Sequence, residues 1–422
     1  MKGYRALVLL PLLLLCLAWL PMLVLAAEPM RVLVNEHHND FPNRVTFDLE
    51  AEGDEDLTRV TFYYRVGDSP VVTYARPEYE IGRRVRVQFA IRGKQDYLPP
   101  GAEVHYQWLV EDSAGHKLKT DPATFVLEDV RFGWKEATAG KLILRWYQGD
   151  EEFASALLEA GTQALDRLAQ ETGVTIERPV KVLIYASQKD LLGALEPKAQ
   201  EWTGGRSFSE LGIVLIAGSP TSSGRAFALR AIPHELSHVV LHQATDNPYG
   251  GIPRWLDEGL AMSAEGSQEP VYEAALKRAV QEGKLISLQS LGSNFPADPE
   301  LAALSYAESY SVVQFIIDEY GRDSMAALLA VFREGSTYDD ATQEALGLTI
   351  NELDAAWKRS LGLVETPTPA VSPIAAGQAA PAAGSSAPSP TPASAPPAGR
   401  CAGPLVIIGG AIALAGLLAR RP

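Results

Sequence analysis

The chain has 422 residues, 46% of them hydrophobic and 21% charged, a length and balance that suit a globular protein of two or more domains with a sizeable core. Its formal net charge is −15, with no block of Lys and Arg in the body of the chain, so nucleic acid is excluded as a partner: phosphate binding needs a basic face. The two cysteines, Cys16 and Cys401, lie in terminal segments, which leaves the mature domains without a disulfide. That alone hints at a reducing compartment, but the two ends of the chain argue for the opposite.

Residues 1–27 read as a secretory signal. Lys2 and Arg5 lead a long apolar run that ends in Val24, Leu25, Ala26 and Ala27, small enough at its close for cleavage after either alanine. An uncleaved membrane anchor is the alternative. Residues 28–130 are expected to form an all-β sandwich. Stretches 45–49, 60–64, 85–89 and 104–109 alternate apolar and polar residues, with turn-rich segments at 67–70 and 98–101 between them. This segment resembles an immunoglobulin-like or fibronectin type III-like module. No chemistry stands out in it, and the adjacent His37 and His38 read as an exposed, unremarkable pair.

After Arg131 the periodicity changes. Leu157, Leu158, Ala164, Leu165 and Leu168 fall at helical spacing within 153–172, strands follow at 180–185 and 212–217, and 227–357 reads as mostly helical. Residues 131–364 therefore predict an α+β domain. From 365 to 400 Pro, Ala, Ser and Thr dominate, a composition that stays extended and acts as a linker. Residues 403–419 are uninterrupted apolar sequence closed by Arg420 and Arg421, so 401–422 reads as a short transmembrane or sorting segment with its arginines on the cytoplasmic side. Both ends then place the domains at the cell surface, outside the cytoplasm, membrane-anchored or released by secretion.

The chemistry concentrates in the helical part. His234, Glu235, Leu236, Ser237 and His238 put two imidazoles four residues apart, on one helical face, at a separation one metal ion can bridge. Glu235 stands next to the first of them, within reach of a water on that metal. Pro233 suits a helix start, where its missing N–H costs nothing. Catalytic zinc takes three protein ligands and leaves a fourth position open. Nineteen residues separate His238 from Glu258, which lies within Pro253, Arg254, Trp255, Leu256, Asp257, Glu258, Gly259, Leu260 and Ala261. His242 is the rival third ligand, but eight residues from His234 turn it about 80° around the helix.

These two segments, 234–238 and 253–261, resemble the gluzincin zinc metallopeptidases, and within them the peptidase MA-like domain group; the resemblance covers roughly 135–360. It implies a thermolysin-like fold, Zn2+ held by His234, His238 and Glu258, and hydrolysis of a peptide or protein substrate with Glu235 as general base. It also implies an oxyanion donor on a later helix, for which Tyr306 is the candidate and Tyr310 the alternative. Relatives hold extended peptide along a sheet edge, here expected at 212–217. The Gly-x-Met-Glu-Asn element of aminopeptidases is missing, so an endopeptidase is the plainer expectation. Met262 occupies the place of the usual acidic outer partner four residues after the third ligand, which leaves Asp257 to orient the first histidine. The competing reading is a non-catalytic cell-surface adhesion or binding protein with a peptidase-like scaffold, against which the charged Glu235 argues.

Overall fold

The computed structural model describes residues 29–363, apart from 94, 198 and 200–203. The signal, linker and C-terminal segments expected from the sequence lie outside the described residues, among which no helix is long and apolar enough to cross a membrane. The architecture is α+β: an N-terminal β region followed by a small sheet and a helical half.

Seven strands form the N-terminal region: β1 (Met30–Asp40), β2 (Arg44–Val66), β3 (Thr73–Ala75), β4 (Gly82–Arg92), β5 (Glu103–Asp112), β6 (Lys117–Lys119) and β7 (Ala123–Val126). The two strands expected at 45–49 and 60–64 are halves of the single strand β2. Its first half pairs antiparallel with β1 and β4, its second with β3 and β5. Phe47 and Phe62 are fifteen residues apart, a separation of about 50 Å along a straight strand. Their ring centroids nevertheless stand 4.7 Å apart, so β2 must double back, and the register shifts between Glu52 and Leu57 mark the bend. The sheet thereby closes over a core of Phe47, Phe62, Val87, Tyr106 and Trp108. His37 and His38 occupy successive positions of β1 and so face opposite sides. The first stacks on Phe125 at 4.3 Å and the second is largely exposed beside Glu36, so the pair offers no shared ligand position.

A second, five-stranded sheet contains β8 (Lys135–Ala139), β9 (Leu142–Trp146), β10 (Val180–Tyr185), β11 (Gly205–Phe208) and β12 (Ile213–Ala217), in the order β11-β12-β10-β9-β8. The three central strands run parallel and both edges are antiparallel. The strand expected to offer a sheet edge, 212–217, is therefore interior; β11 takes the edge. Period-two side chains explain how this sheet is sandwiched. Val182, Ile184, Val214 and Ile216 pack with α1 (Glu151–Thr172) and α3 (Ser222–Ala244), whereas Leu183, Tyr185, Ile213 and Leu215 join the core of the N-terminal region. Short α2 (Gln188–Leu192) follows β10. Asp129 fastens the seam, accepting from Arg131 Nε at 2.8 Å, Arg131 Nη2 at 2.6 Å and the Tyr185 hydroxyl at 3.0 Å.

The helical half comprises α4 (Arg254–Ala264), α5 (Pro270–Glu282), α6 (Leu288–Leu291), α7 (Pro299–Tyr320), α8 (Arg322–Arg333), α9 (Tyr338–Leu346) and α10 (Ile350–Ser360) around its own apolar core. Glu308 on α7 is buried there and accepts the Ile286 N–H on both oxygens, at 3.2 and 3.1 Å. Burial, with Asp354 adding and the Ile286 N–H and Lys358 opposing, pushes its carboxyl up to about 8. In the unfolded chain the group ionises near 4.5, so between that value and 8 only the native state keeps the proton, and stability falls as pH rises through the window. Glu308→Gln is expected to remove that slope, stabilising the fold at pH 8 relative to pH 5 by on the order of 3 kcal/mol. Urea unfolding at the two pH values measures it, and an equal effect at both would refute the assignment.

Candidate metal centre

The helix that carries the histidines, α3, begins at Thr221, whose hydroxyl accepts the Gly224 N–H at 3.2 Å. Pro233 accordingly lies inside the helix and does not open it, contrary to the sequence expectation. An interior proline removes one i→i−4 hydrogen bond and costs about 3 kcal/mol in an exposed helix. Here every residue from 231 to 241 is buried between the sheet and the helical half, and that packing carries the helix through. His234 and His238, one turn apart, bring their ring centroids to 5.1 Å.

Glu258 arrives on the next helix, α4. Trp255, Leu256 and Leu260 anchor that helix in the apolar core. Gly259 lets it close on α7: a Cβ there would meet the Ser309 carbonyl oxygen at 2.4 Å. The result places Glu258 Oε2 at 3.4 Å from His234 Nε2 and 3.7 Å from His238 Nε2. Ligand atoms at about 2.0 Å around a tetrahedral ion stand about 3.3 Å apart, so this trio has the spacing of a zinc site.

Hydrogen bonding separates the inward atoms from the outward ones. His234 Nδ1 pairs with Glu265 Oε1 at 2.7 Å, His238 Nδ1 with Asp257 Oδ1 at 2.8 Å, and Glu258 Oε1 accepts from Arg254 Nη2 at 2.8 Å. By contrast His234 Nε2, His238 Nε2 and Glu258 Oε2 are buried without a hydrogen-bond partner among the described residues. Three orphaned polar atoms converging on one point are costly unless something binds them, and a divalent cation satisfies all three. Burial opposes charge on His234, yet Glu258 and Glu265 outweigh it and push the imidazole up to about 10. A proton and a cation therefore compete for the same nitrogen.

Asp257 orients the second histidine, not the first as expected; the first is held by Glu265, seven residues past Glu258 at the end of α4. Although burial alone would raise it, His238 and His242 hold the Asp257 carboxyl well below the usual range. His242 Nε2 donates to the far oxygen of Asp257 at 3.1 Å and so stands behind the trio rather than in it. That makes a second potential metal-binding group, His238, His242 and Asp257, but one whose contacts are already used within the protein.

Glu235 is buried, and neither of its oxygens makes a well-formed hydrogen bond among the described residues, although the Ser207 side chain on β11 lies close enough to favour its charge. Burial pushes its carboxyl up; His238 and His234 pull it down. The edge strand β11 lies directly over it: a Cβ on Gly205 would fall 2.4 Å from Glu235 Oε1. Tyr306 is brought to Glu258, fully buried and hydrogen-bonded to Arg254. Tyr310 is not; it lines a separate cavity of about 320 Å³ with Gln314 and Phe315. Tyr272 on α5, which no sequence signal singled out, feels Glu265, Glu269, Glu258 and Arg230 and packs near Tyr306, 6.3 Å between centroids.

Residues 160–362 match the family model described as Peptidase MA superfamily. No curated protein matches the chain. Among solved structures, aminopeptidase A from Legionella pneumophila is similar at 12% identity and TM-score 0.34, covering 78% of this chain and 49% of that one, so the chain spans about half its length. A mutant M1 zinc metallopeptidase from Deinococcus radiodurans is similar at 14% identity and TM-score 0.30, covering 81% of this chain and 97% of that one. A carbohydrate-binding module family 56 β-1,3-glucan binding domain is similar at 20% identity and TM-score 0.15, covering 22% of this chain and 95% of that one.

Proposed function

We propose that the protein is a zinc-dependent peptidase, an endopeptidase working outside the cytoplasm. The observation that carries the reading is the division of polar atoms: among the described residues each ligand side chain is hydrogen-bonded on its outer atom and has no hydrogen bond on the inner one, where the three inner atoms face only one another. His234, His238 and Glu258 would hold the ion, which supplies a Lewis acid that polarises the scissile carbonyl and makes water a nucleophile near neutral pH.

The chain's own residues do the rest. Glu235, adjacent to the first ligand and without a well-formed hydrogen bond among the described residues, takes the proton of the attacking water and passes it to the leaving amine. Burial favours its neutral form, which suits a group that must release the proton as readily as it accepts it. Glu265 and Asp257 fix the tautomers of the two histidines so that both present Nε2 inward. The position of β11 at the sheet edge, with the small Gly205 against Glu235, supports the binding of substrate as an added strand. The endopeptidase reading rests on the missing aminopeptidase element.

The placement outside the cytoplasm rests on the terminal segments alone. Purified 28–364 is expected to hydrolyse an unstructured protein, to lose that activity to a chelator and to regain it with zinc. On intact cells expressing the whole chain, the domain should be open to added protease. Absence of chelator-reversible hydrolysis from a zinc-loaded preparation would favour the scaffold reading. Protection in intact cells would overturn the placement and leave the chemistry standing.

A further inference from the structure

We propose that Arg254 is a positioning residue that clamps one oxygen of Glu258 and so limits this carboxylate to a single bond with the metal, with Tyr306 buttressing the clamp. The inference rests on the metal-site reading above and deepens it. Arg254 opens α4 one turn before Glu258, which puts both side chains on the same face. Its Nη2 donates to Glu258 Oε1 at 2.8 Å, while Oε2 is the oxygen that faces the two imidazoles. The guanidinium is itself gripped. It lies over the Phe295 ring at 5.0 Å, bonds the Tyr306 hydroxyl, and its side chain is only 11% exposed.

A cation buried beside a ligand of another cation is a feature to explain, since like charges in a dry interior repel. A carboxylate with both oxygens free can chelate a metal in two-oxygen fashion, adding a fifth bond beside the open position and crowding the water or substrate that a catalytic site admits there. With Oε1 committed to Arg254, Glu258 has one oxygen to give. The ion pair also draws charge from the carboxylate, so the ligand set neutralises the ion less completely. Tyr306 is well placed to brace the guanidinium, because it is fully buried and its hydroxyl bonds Arg254 beside Glu258.

Cobalt(II) reports coordination number directly, because four-coordinate cobalt absorbs visible light far more strongly than five- or six-coordinate cobalt. Residues 28–364 loaded with cobalt should show the intense four-coordinate bands. Arg254→Met and Arg254→Gln, folded by circular dichroism and carrying cobalt, should lose about half of that intensity or more as a fifth ligand atom enters. Arg254→Lys, whose ammonium can still hold Oε1, should return most of it. Tyr306→Phe keeps the ring and removes only the hydroxyl, so it should fold and show the same change at smaller amplitude, which covers the case in which the arginine variants do not fold. An unchanged spectrum in the Met and Gln variants, or in Tyr306→Phe where those do not fold, overturns the proposal. So does a Lys variant no different from Met, or loss of cobalt from all three Arg254 variants. A wild-type protein that takes up no cobalt fails the metal-site reading itself, and this inference with it.

Discussion

Glu235→Gln is expected to lower hydrolysis by about 10³-fold while leaving the metal content and the fold intact, the largest separation of function from structure that any single substitution in this protein should give. The amide occupies the same volume as the carboxylate, so the contact under Gly205 is preserved. It coordinates nothing in the wild type, because the inward atoms of the candidate metal centre belong to His234, His238 and Glu258. What is lost is the capacity to carry a proton. Stability should hold or rise, since burial is the largest influence on this ionisable group and the exchange replaces it with a neutral one. Zinc stoichiometry, thermal midpoint and turnover of an unstructured protein, measured on the same preparation, decide it. A variant that retains activity within about tenfold of wild type would remove Glu235 from the proton path, because general-base contributions are larger than that.

The two helical turns around His234 are legible in the sequence because helix period alone puts i and i+4 together, and that relation survives any change in where the helix begins. The helix start is not legible. Pro233 carries a strong local boundary signal, and the tertiary packing that overrides it comes from the sheet and from the helical half, far away in sequence. The outer carboxylate of His234 is invisible for a related reason: Glu265 becomes a partner only because α4 is long enough to deliver its end back to α3, a distance set by packing and not by a motif. Strand β11 is four residues of Gly, Arg, Ser and Phe, too short and too polar to show alternation, so the sequence points to the apolar β12 as the edge. What stays hidden at β2 is its continuity: the stretch between 49 and 60 reads as a break between two strands, whereas a register shift carries a single strand through the bend. The gross division into a β region and a helical half, by contrast, follows from the change in hydrophobic period near Arg131, which no packing detail can mask.

Removal of any one of the three inward groups is expected to abolish zinc binding at stoichiometric concentrations: His234→Ala, His238→Ala and Glu258→Ala should each purify with little metal where the wild type carries close to one zinc per chain. The outer carboxylates should behave differently. Glu265→Gln and Asp257→Asn leave all three inward atoms in place and remove only the anchor behind one imidazole, so affinity should fall about 10- to 100-fold, enough to see by chelator competition but not enough to empty the site at stoichiometric zinc. This ordering tests the assignment of roles more sharply than loss of activity would, because a misfolded variant also loses activity. Asp257→Asn has a second expected effect. His242 shares that carboxylate, which holds its imidazole above the usual range against the opposing effect of burial, so the substitution should let the His242 ring lose its proton at lower pH, a change that an NMR titration of the ring protons can follow. Metal retained by Glu258→Ala and lost by Glu265→Gln would reverse the two roles: Glu265, which now pairs with His234 Nδ1, would be the third ligand, and Glu258, tied to Arg254, a structural ion pair. The distances favour Glu258, whose free oxygen is within 3.7 Å of both inward nitrogens, whereas Glu265 meets the outer atom of one ring.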